Sequence, residues 1–522
     1  MMKQRVTAAI AAVLLTASVA RAQSLVMALS GAVTSVDPHY HTFSPNLTLD
    51  SHIFDTLVEM DPKSRPIPNL AESWTLVDPQ TWELKLRQGV KWHNGADFTA
   101  ADVAYTITRV PTVPNSPGSF AIYTKAVVAT EIVDAHTIRL KTASVYPLLP
   151  IDLTQVAMLP QSLGPNPLTE EFNSGKNAIG TGPYRLTSYR PGDRAELVRN
   201  DGYWGKKPHW ANVSVRMIPN DGARTASLLA GDVAFMEFVP TSDVARLRAD
   251  KRVALAETDS LRLVFLWLDR SHAGAHPLIT GPNGEVLATN PLNDLRVRQA
   301  LSMGINRAAI VERVMEGAAI PANQFLAPGV TGHVDDLPPI PYDVARAKQL
   351  LADAGYPKGF RIVLAGPNDR YVNDGKIIQA IGQMWARIGV ETKVDGMTWT
   401  TFVARAGKQE FPAFLLGWGI SSGEASNPLR ALVHSFDASS GWGAVNRGRY
   451  SNPKLDDMIA KAVTVADDKA RETALIDAER VAMQDVALLP VHIQKNIWAM
   501  RAGLTYVARA DERTLAMDLR PQ

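Results

Sequence analysis

The sequence predicts an α/β protein of more than one domain, and three observations carry that prediction. Segments of strand period and of helix period alternate along the chain, with no internal repeat and no low-complexity stretch. Residues 342–395 read as a helix–strand–helix–strand run, whose strands pair in parallel through a right-handed helical crossover. The 522 residues, 46% of them hydrophobic, supply enough apolar side chains for two or more domains.

At the N-terminus, Lys3 and Arg5 precede an apolar stretch from Val6 to Ala20, and Ala20-Arg21-Ala22 closes it. This is the pattern of a signal peptide, residues 1–22, cut near Ala22. Losing Lys3, Arg5 and Arg21 takes the formal charge from +2 to −1, a near-neutral balance that argues against a nucleic-acid partner. No later stretch has the ~18 uninterrupted apolar residues of a membrane span, so the mature chain is expected to be exported and soluble. The absence of cysteine excludes disulfides, thiol catalysis and cysteine-ligated metals.

Further on, Gly180-Thr181-Gly182-Pro183 reads as a turn in which the glycines permit positive φ and Pro183 fixes the exit. Tyr184, Leu186 and Ser188 alternate with Arg185, Thr187 and Tyr189 as a strand. Pro191-Gly192-Asp193 turns the chain, Ala195, Leu197 and Arg199 begin the return strand, and Tyr203-Trp204-Gly205 forms an aromatic plug. Helices are expected at 294–304 and 306–316. Asp343 caps a helix on which Val344, Ala347, Leu351 and Ala354 share a face, ended by Gly355 and Pro357. A strand at Arg361–Leu364, a helix lined by Ile377, Ile381, Met384, Trp385 and Ile388, and a strand through Val390, Thr392 and Val394 complete the run. Helices at 453–464 and 467–484 precede Val486–Ile493, an apolar run that reads as a buried strand.

Five blocks, in order from about residue 30 to about residue 500, resemble the family 5 solute-binding proteins of bacterial ABC importers. They are L-A-E-S-W at 70–74 with L-R-Q-G-V-K-W-H-N-G at 86–95 and T-A-A-D-V at 99–103; G-T-G-P-Y at 180–184 with L-V-R-N-D-G-Y-W at 197–204; R-Q-A-L-S-M-G-I-N-R at 298–307; A-K-Q-L-L-A-D-A-G-Y at 347–356; and Y-S-N-P-K-L-D at 450–456. Trp92 and Asn94 depart mildly from the pattern.

The resemblance implies two lobes closing on a ligand like a flytrap (type II periplasmic-binding-protein fold). Lobe I would comprise 23–265 plus 490–522, with an extra subdomain at 59–179, and lobe II 266–489. It implies a periplasmic, monomeric binding protein that is no enzyme and carries no cofactor or metal. Its partners would be a small peptide-like solute and the permease and ATPase subunits at the inner membrane. Without a cysteine there is no lipid anchor, which agrees with a Gram-negative periplasm.

The expected ligand contacts lie at strand ends and in Gly/Ser-rich loops, where backbone N–H groups and hydroxyls are accessible. The loop after Phe414–Leu416 offers Trp418, Ser421, Ser422 and Glu424. In peptide binders of the family an Asp following G-W pairs with the ligand ammonium; Ser421 stands at that position here. Glu424 is the expected replacement, wording closer to the glutathione-binding branch. Arg370 and Tyr371 follow a strand, and Arg370 presents a fork suited to a carboxylate. Trp399 and Tyr40 are candidate aromatic walls, with Trp442 in a glycine-flanked loop a weaker one.

Two alternatives compete. Gly419-Ile420-Ser421-Ser422-Gly423 matches G-x-S-x-G of serine hydrolases, with His434 and His492 downstream, but Asn427-Pro428 falls where the helix of a nucleophile elbow should run. His39-Tyr40-His41 holds two imidazoles in one loop, as a metal or nickel-chelate site would. If that loop is extended, the two rings point to opposite faces.

Overall fold

The computed structural model describes residues 24–420, 422–438 and 440–522. The signal segment and Ser421 lie outside these residues.

A mixed sheet of 12 strands forms the spine. At one end Ser24–Leu29 pairs in parallel with Asn212–Met217 and Phe235–Met236. The hairpin Tyr184–Arg190/Arg194–Arg199 extends this end. At the other end Phe360–Pro367 lies between Val390–Met397 and Ala413–Gly419, parallel to both. Two long antiparallel strands, Val253–Leu268 and Leu489–Arg501, join the ends. Their ladder breaks between Asp259 and Leu263, and Arg262 sits in that break.

Each end has its own core. Met27, Leu29, Tyr184, Val213 and Trp210 are buried in one. Leu266, Ile362, Leu364, Ile377, Trp385 and Leu415 are buried in the other. A four-stranded antiparallel sheet, Ala71–Asp78, Thr81–Leu86, Val127–Asp134 and Thr137–Thr142, stands apart. Its inner face (Leu84, Ile138, Leu140) joins Phe265, Phe414 and Leu488 in a further core. The α/β class follows from this two-lobed arrangement.

The expected helix–strand run is present as Val344–Asp353, Phe360–Pro367, Asp374–Arg387 and Val390–Met397. The buried strand is displaced from 486–493: Val486 turns with φ 49, and the strand runs on to Arg501. Its polar residues 494–496 resemble a strand end in sequence, but Lys495 and Asn496 pair with Asp259 and Thr258, and Gln494 with Ala319. The 306–316 helix is a short α-turn, Arg307–Ala309, widened into a π-turn at Ile310–Val314.

Gly180 and Gly182 correct the reading of their turn. Neither has positive φ. A Cβ at Gly180 would stand 1.8 Å from the Ile53 carbonyl oxygen, and one at Gly182 2.6 Å from the Ile53 carbonyl carbon. The glycines permit close backbone approach rather than an unusual dihedral. The aromatic plug follows from the same contact. Thr181 Oγ1 (2.8 Å), Trp204 Nε1 (2.9 Å) and Tyr203 Oη (3.3 Å) all donate to the buried Asp55 carboxylate.

Candidate functional site

The two ends of the sheet meet around Arg370. Its backbone N–H and that of Tyr371 donate to Asp374 Oδ2, at 3.0 and 2.9 Å, which fixes the loop at the start of the helix Asp374–Arg387. The Arg370 guanidinium lies 5.2 Å from the rings of both Phe43 and Tyr371, and 5.6 Å from Trp399. Phe43 belongs to the N-terminal segment; the other two rings belong to the opposite lobe. Tyr371 Oη donates to the Gly417 carbonyl at 3.2 Å. A Cβ at Gly417 would come within 2.7 Å of the Tyr371 ring, so glycine is what lets the tyrosine lie across that strand.

Two more arginines surround Tyr371. Arg262 stands 5.9 Å from its ring and forms a buried, two-pronged ion pair with Glu512, with Nε to Oε1 at 2.6 Å. Arg447 interacts electrostatically with Tyr371, and burial lowers its pKa. Burial, reinforced by the Arg262 charge, lowers that of Arg370 too. Among the described residues, nothing accepts a hydrogen bond from Arg370 Nε or Arg447 Nη1, although both atoms are buried. His41 stacks on Phe43 (5.2 Å, 13° between planes), and burial together with the Arg370 charge holds its pKa down to about 4. The cluster therefore collects three guanidiniums; of the carboxylates that act on Arg370, Glu512 is paired with Arg262 and Asp374 accepts the backbone N–H groups of Arg370, Tyr371 and Gly375. Unpaired N–H forks at a desolvated site suit a carboxylate.

The other expected residues are placed as follows. Trp399 opens the helix Trp399–Ala406, is half-buried, and its N–H donates to Asp369 Oδ1 at 2.7 Å. Trp418 Nε1 donates to Asn427 Oδ1 at 2.8 Å. Tyr40 lies in its turn with its N–H on the Asp37 carbonyl; Phe43 and His41 are the residues of this segment that meet Arg370. Ser422 is buried, and its hydroxyl lies 3.4 Å from the Glu424 carbonyl. Both Glu424 oxygens are engaged, Oε1 by Arg471 Nε and Oε2 by Ser426 Oγ, each at 2.8 Å. Its carboxylate is thus committed to its own lobe rather than offered to an ammonium.

His39 uses both ring nitrogens, on the Ala157 carbonyl (2.7 Å) and the Arg109 guanidinium (2.8 Å), whereas His41 Nδ1 meets Thr34 Oγ1 at 3.2 Å. The two imidazoles do not converge. Contrary to expectation, the loop after Ser422 does run into a helix, Ser426–Pro428 continued by a π-turn through Val433, with Pro428 in its first turn. His434 Nδ1 is bonded to the Ser435 carbonyl at 2.7 Å, and His492 is fully buried with neither ring nitrogen hydrogen-bonded among the described residues.

Residues that sequence reasoning missed are Arg262, Arg447 and Phe43, and His41, singled out there only as a metal candidate, instead stacks on Phe43 beside Arg370. Arg447 carried a signal: it ends the same glycine-rich loop as Trp442. Arg262 carried none, since it sits in a strand.

Two lobes joined by long crossing strands, with charged and aromatic side chains converging between them, define a binding protein that closes around a small solute. The chain belongs to the bacterial extracellular solute-binding proteins, family 5, whose family model matches residues 65–440. It is 27% identical to the dipeptide-binding protein of Escherichia coli (strain K12), over 90% of this chain and 88% of that one. It is also 27% identical to the glutathione-binding protein GsiB of Salmonella paratyphi A, over 93% and 91%. Its fold is similar to that of the periplasmic binding protein DppA from Helicobacter pylori in complex with the peptide STSA. That match has a TM-score of 0.81 at 23% identity and covers 95% of this chain and 98% of that one.

Proposed function

We propose that this protein captures a carboxylate-bearing short peptide or peptide-like solute between its lobes, in the periplasm, and delivers it to the permease of an ABC importer. The observation that carries this reading is the pair of buried guanidinium N–H groups, on Arg370 and Arg447 near Tyr371, without partners among the described residues. A ligand carboxylate satisfies them, with Trp399 and Phe43 as walls. No chemistry is performed: binding differs between open and closed lobes, and closure signals occupancy. We take lobe I as 23–265 plus 490–522 and lobe II as 266–489, the crossovers near 263–266 and 488–491 acting as hinge.

A glutathione-like solute is favoured over an ordinary dipeptide. It brings two carboxylates and one ammonium, which suits an arginine-rich site whose neighbouring carboxylates, Glu512 and Asp374, are already engaged by Arg262 and by backbone N–H groups. The reading rests on charge, and Glu424 has no part in it.

The test is a thermal-shift scan of the mature chain with glutathione, dipeptides, their C-terminal amides and nickel–histidine. A ligand at about a thousand times its Kd stabilises by roughly 4 kcal/mol. A shift with glutathione but with no amidated peptide is expected. Equal shifts with a peptide and its amide would overturn the carboxylate reading, and a shift with nickel–histidine alone would replace the solute class.

A further inference from the structure

We propose that Asp269, His272 and His276 form a divalent-metal site for Zn2+, separate from the solute cleft. They occupy the loop that leaves the strand Val253–Leu268. Arg262 of the cleft is on that same strand, and seven extended residues at ~3.3 Å each place Asp269 about 20 Å away.

One donor atom from each of the three side chains lies within 4.8 Å of the others. Asp269 Oδ2 is 2.7 Å from His272 Nδ1 and 3.8 Å from His276 Nε2. Ligands at ~2.0–2.1 Å from a tetrahedral Zn2+ stand about 3.3 Å apart. The two observed separations straddle that value and the third, between the imidazoles, is within 4.8 Å, so relative shifts of at most ~1.5 Å build the site. The independent observation is His276 itself. It is 2% exposed, and its Nε2 is buried, points at the Asp269 carboxylate from beyond hydrogen-bond range, and has no partner among the described residues. A buried polar atom of this kind is unusual in a native fold.

The surroundings hold the three residues in place. Ser271 Oγ donates to Asp269 Oδ1 at 2.7 Å, as a supporting group behind a ligating carboxylate does. The Asp269 N–H donates to the Pro412 carbonyl at 2.8 Å, and its own carbonyl accepts from Asn290 Nδ2 at 2.9 Å. Asn293 Nδ2 binds the His272 carbonyl at 2.9 Å. The His272 side chain is one-third exposed and gives an ion its way in. His276 Nδ1 accepts from the Leu278 N–H at 3.1 Å, which leaves the ring proton on Nε2. Ligation through Nε2 moves that proton to Nδ1, so the loop hydrogen bond from Leu278 is exchanged for a metal–nitrogen bond, and uptake weakens in acid because protonated imidazoles cannot ligate. Two imidazoles and a carboxylate without thiolate suit Zn2+, with water in the fourth position.

The untagged mature chain, stripped with chelator, is titrated with Zn2+ by calorimetry. One equivalent is expected, and X-ray absorption of the Zn2+-loaded chain is expected to show two imidazoles in the first shell. His276→Gln and His272→Ala are each expected to weaken binding by more than the ~100-fold that loss of a mere supporting group costs. Zn2+ is expected to raise the melting temperature of the wild type only. No stoichiometric uptake, or unchanged affinity in the variants, overturns the site and leaves a His–Asp hydrogen-bond cluster. Should the variants fail to fold, an absorption spectrum of the wild type without two imidazoles overturns it equally.

Discussion

Arg370 does two things in one position: its backbone N–H anchors a helix start, and its guanidinium closes over three aromatic rings. If the fork binds a ligand carboxylate, Arg370→Ala removes a charge-assisted contact of roughly 1.5–3 kcal/mol, a loss of about 10- to 150-fold in affinity. Arg370→Lys restores charge without the fork and is expected to fall between. Calorimetric titration of a bound solute decides; unchanged affinity in Arg370→Ala removes this residue from the site. Gly180 tests packing at the same scale. A methyl there would meet the Ile53 backbone, whereas Gly192, with φ 73, has open space around it. Gly180→Ala should cost more than about 2 kcal/mol and Gly192→Ala about 1 kcal/mol, measured by denaturant unfolding. A cheaper Gly180 variant would mean that the turn relaxes.

At the scale of elements, the helix Asp468–Gln484 docks through Glu479. Its Oε1 accepts the Phe325 N–H at 2.9 Å, while Oε2 is buried with no partner among the described residues. Burial raises the Glu479 pKa from 4.5 to about 8. The folded chain then keeps, through that window, a proton that the unfolded chain releases above 4.5. Stability from this group is full below pH 4.5 and declines as pH rises through 8. Glu479→Gln keeps an acceptor and never ionises, so its unfolding free energy should gain on that of the wild type as pH rises from 5 to 8.5, by an amount on the order of a few kcal/mol, read from denaturant unfolding at each pH. A difference that does not change with pH would show that Glu479 is ionised in the fold.

For the whole molecule, the lobes are tied by a buried polar contact as well as by the cleft. Arg430, in the turn beyond the Glu424 loop, donates to Tyr146 Oη at 2.7 Å, and Tyr146 in turn hydrogen-bonds Asp152. Tyr146 and Asp152 lie close to the separate four-stranded sheet, across the interface from Arg430. Burial raises the Asp152 pKa to about 6. If this contact breaks when the lobes part, Tyr146→Phe should weaken solute binding about tenfold without touching the solute, by lowering the population of the binding-competent form. Faster release in a stopped-flow experiment would accompany it. Unaltered affinity and release would mean that the contact does not break when the lobes part.

Much of the local structure was legible in the sequence. Hydrophobic period, caps and glycine–proline punctuation are properties of a few adjacent residues, so the hairpin at 184–199 and the parallel pair 360–367/390–397 could be read directly. Arg370 was legible as a candidate because it follows a strand. What the sequence could not decide is which polar groups find partners. Glu424 is consumed by Arg471, 47 residues away, and Arg262 by Glu512, 250 residues away. Arg370 Nε, Arg447 Nη1 and His276 Nε2 are left buried without partners among the described residues. Sequence fixes each group's chemistry and local conformation. Whether that chemistry is used up inside the fold or remains free for a ligand depends on long-range packing, and only the tertiary structure decided it.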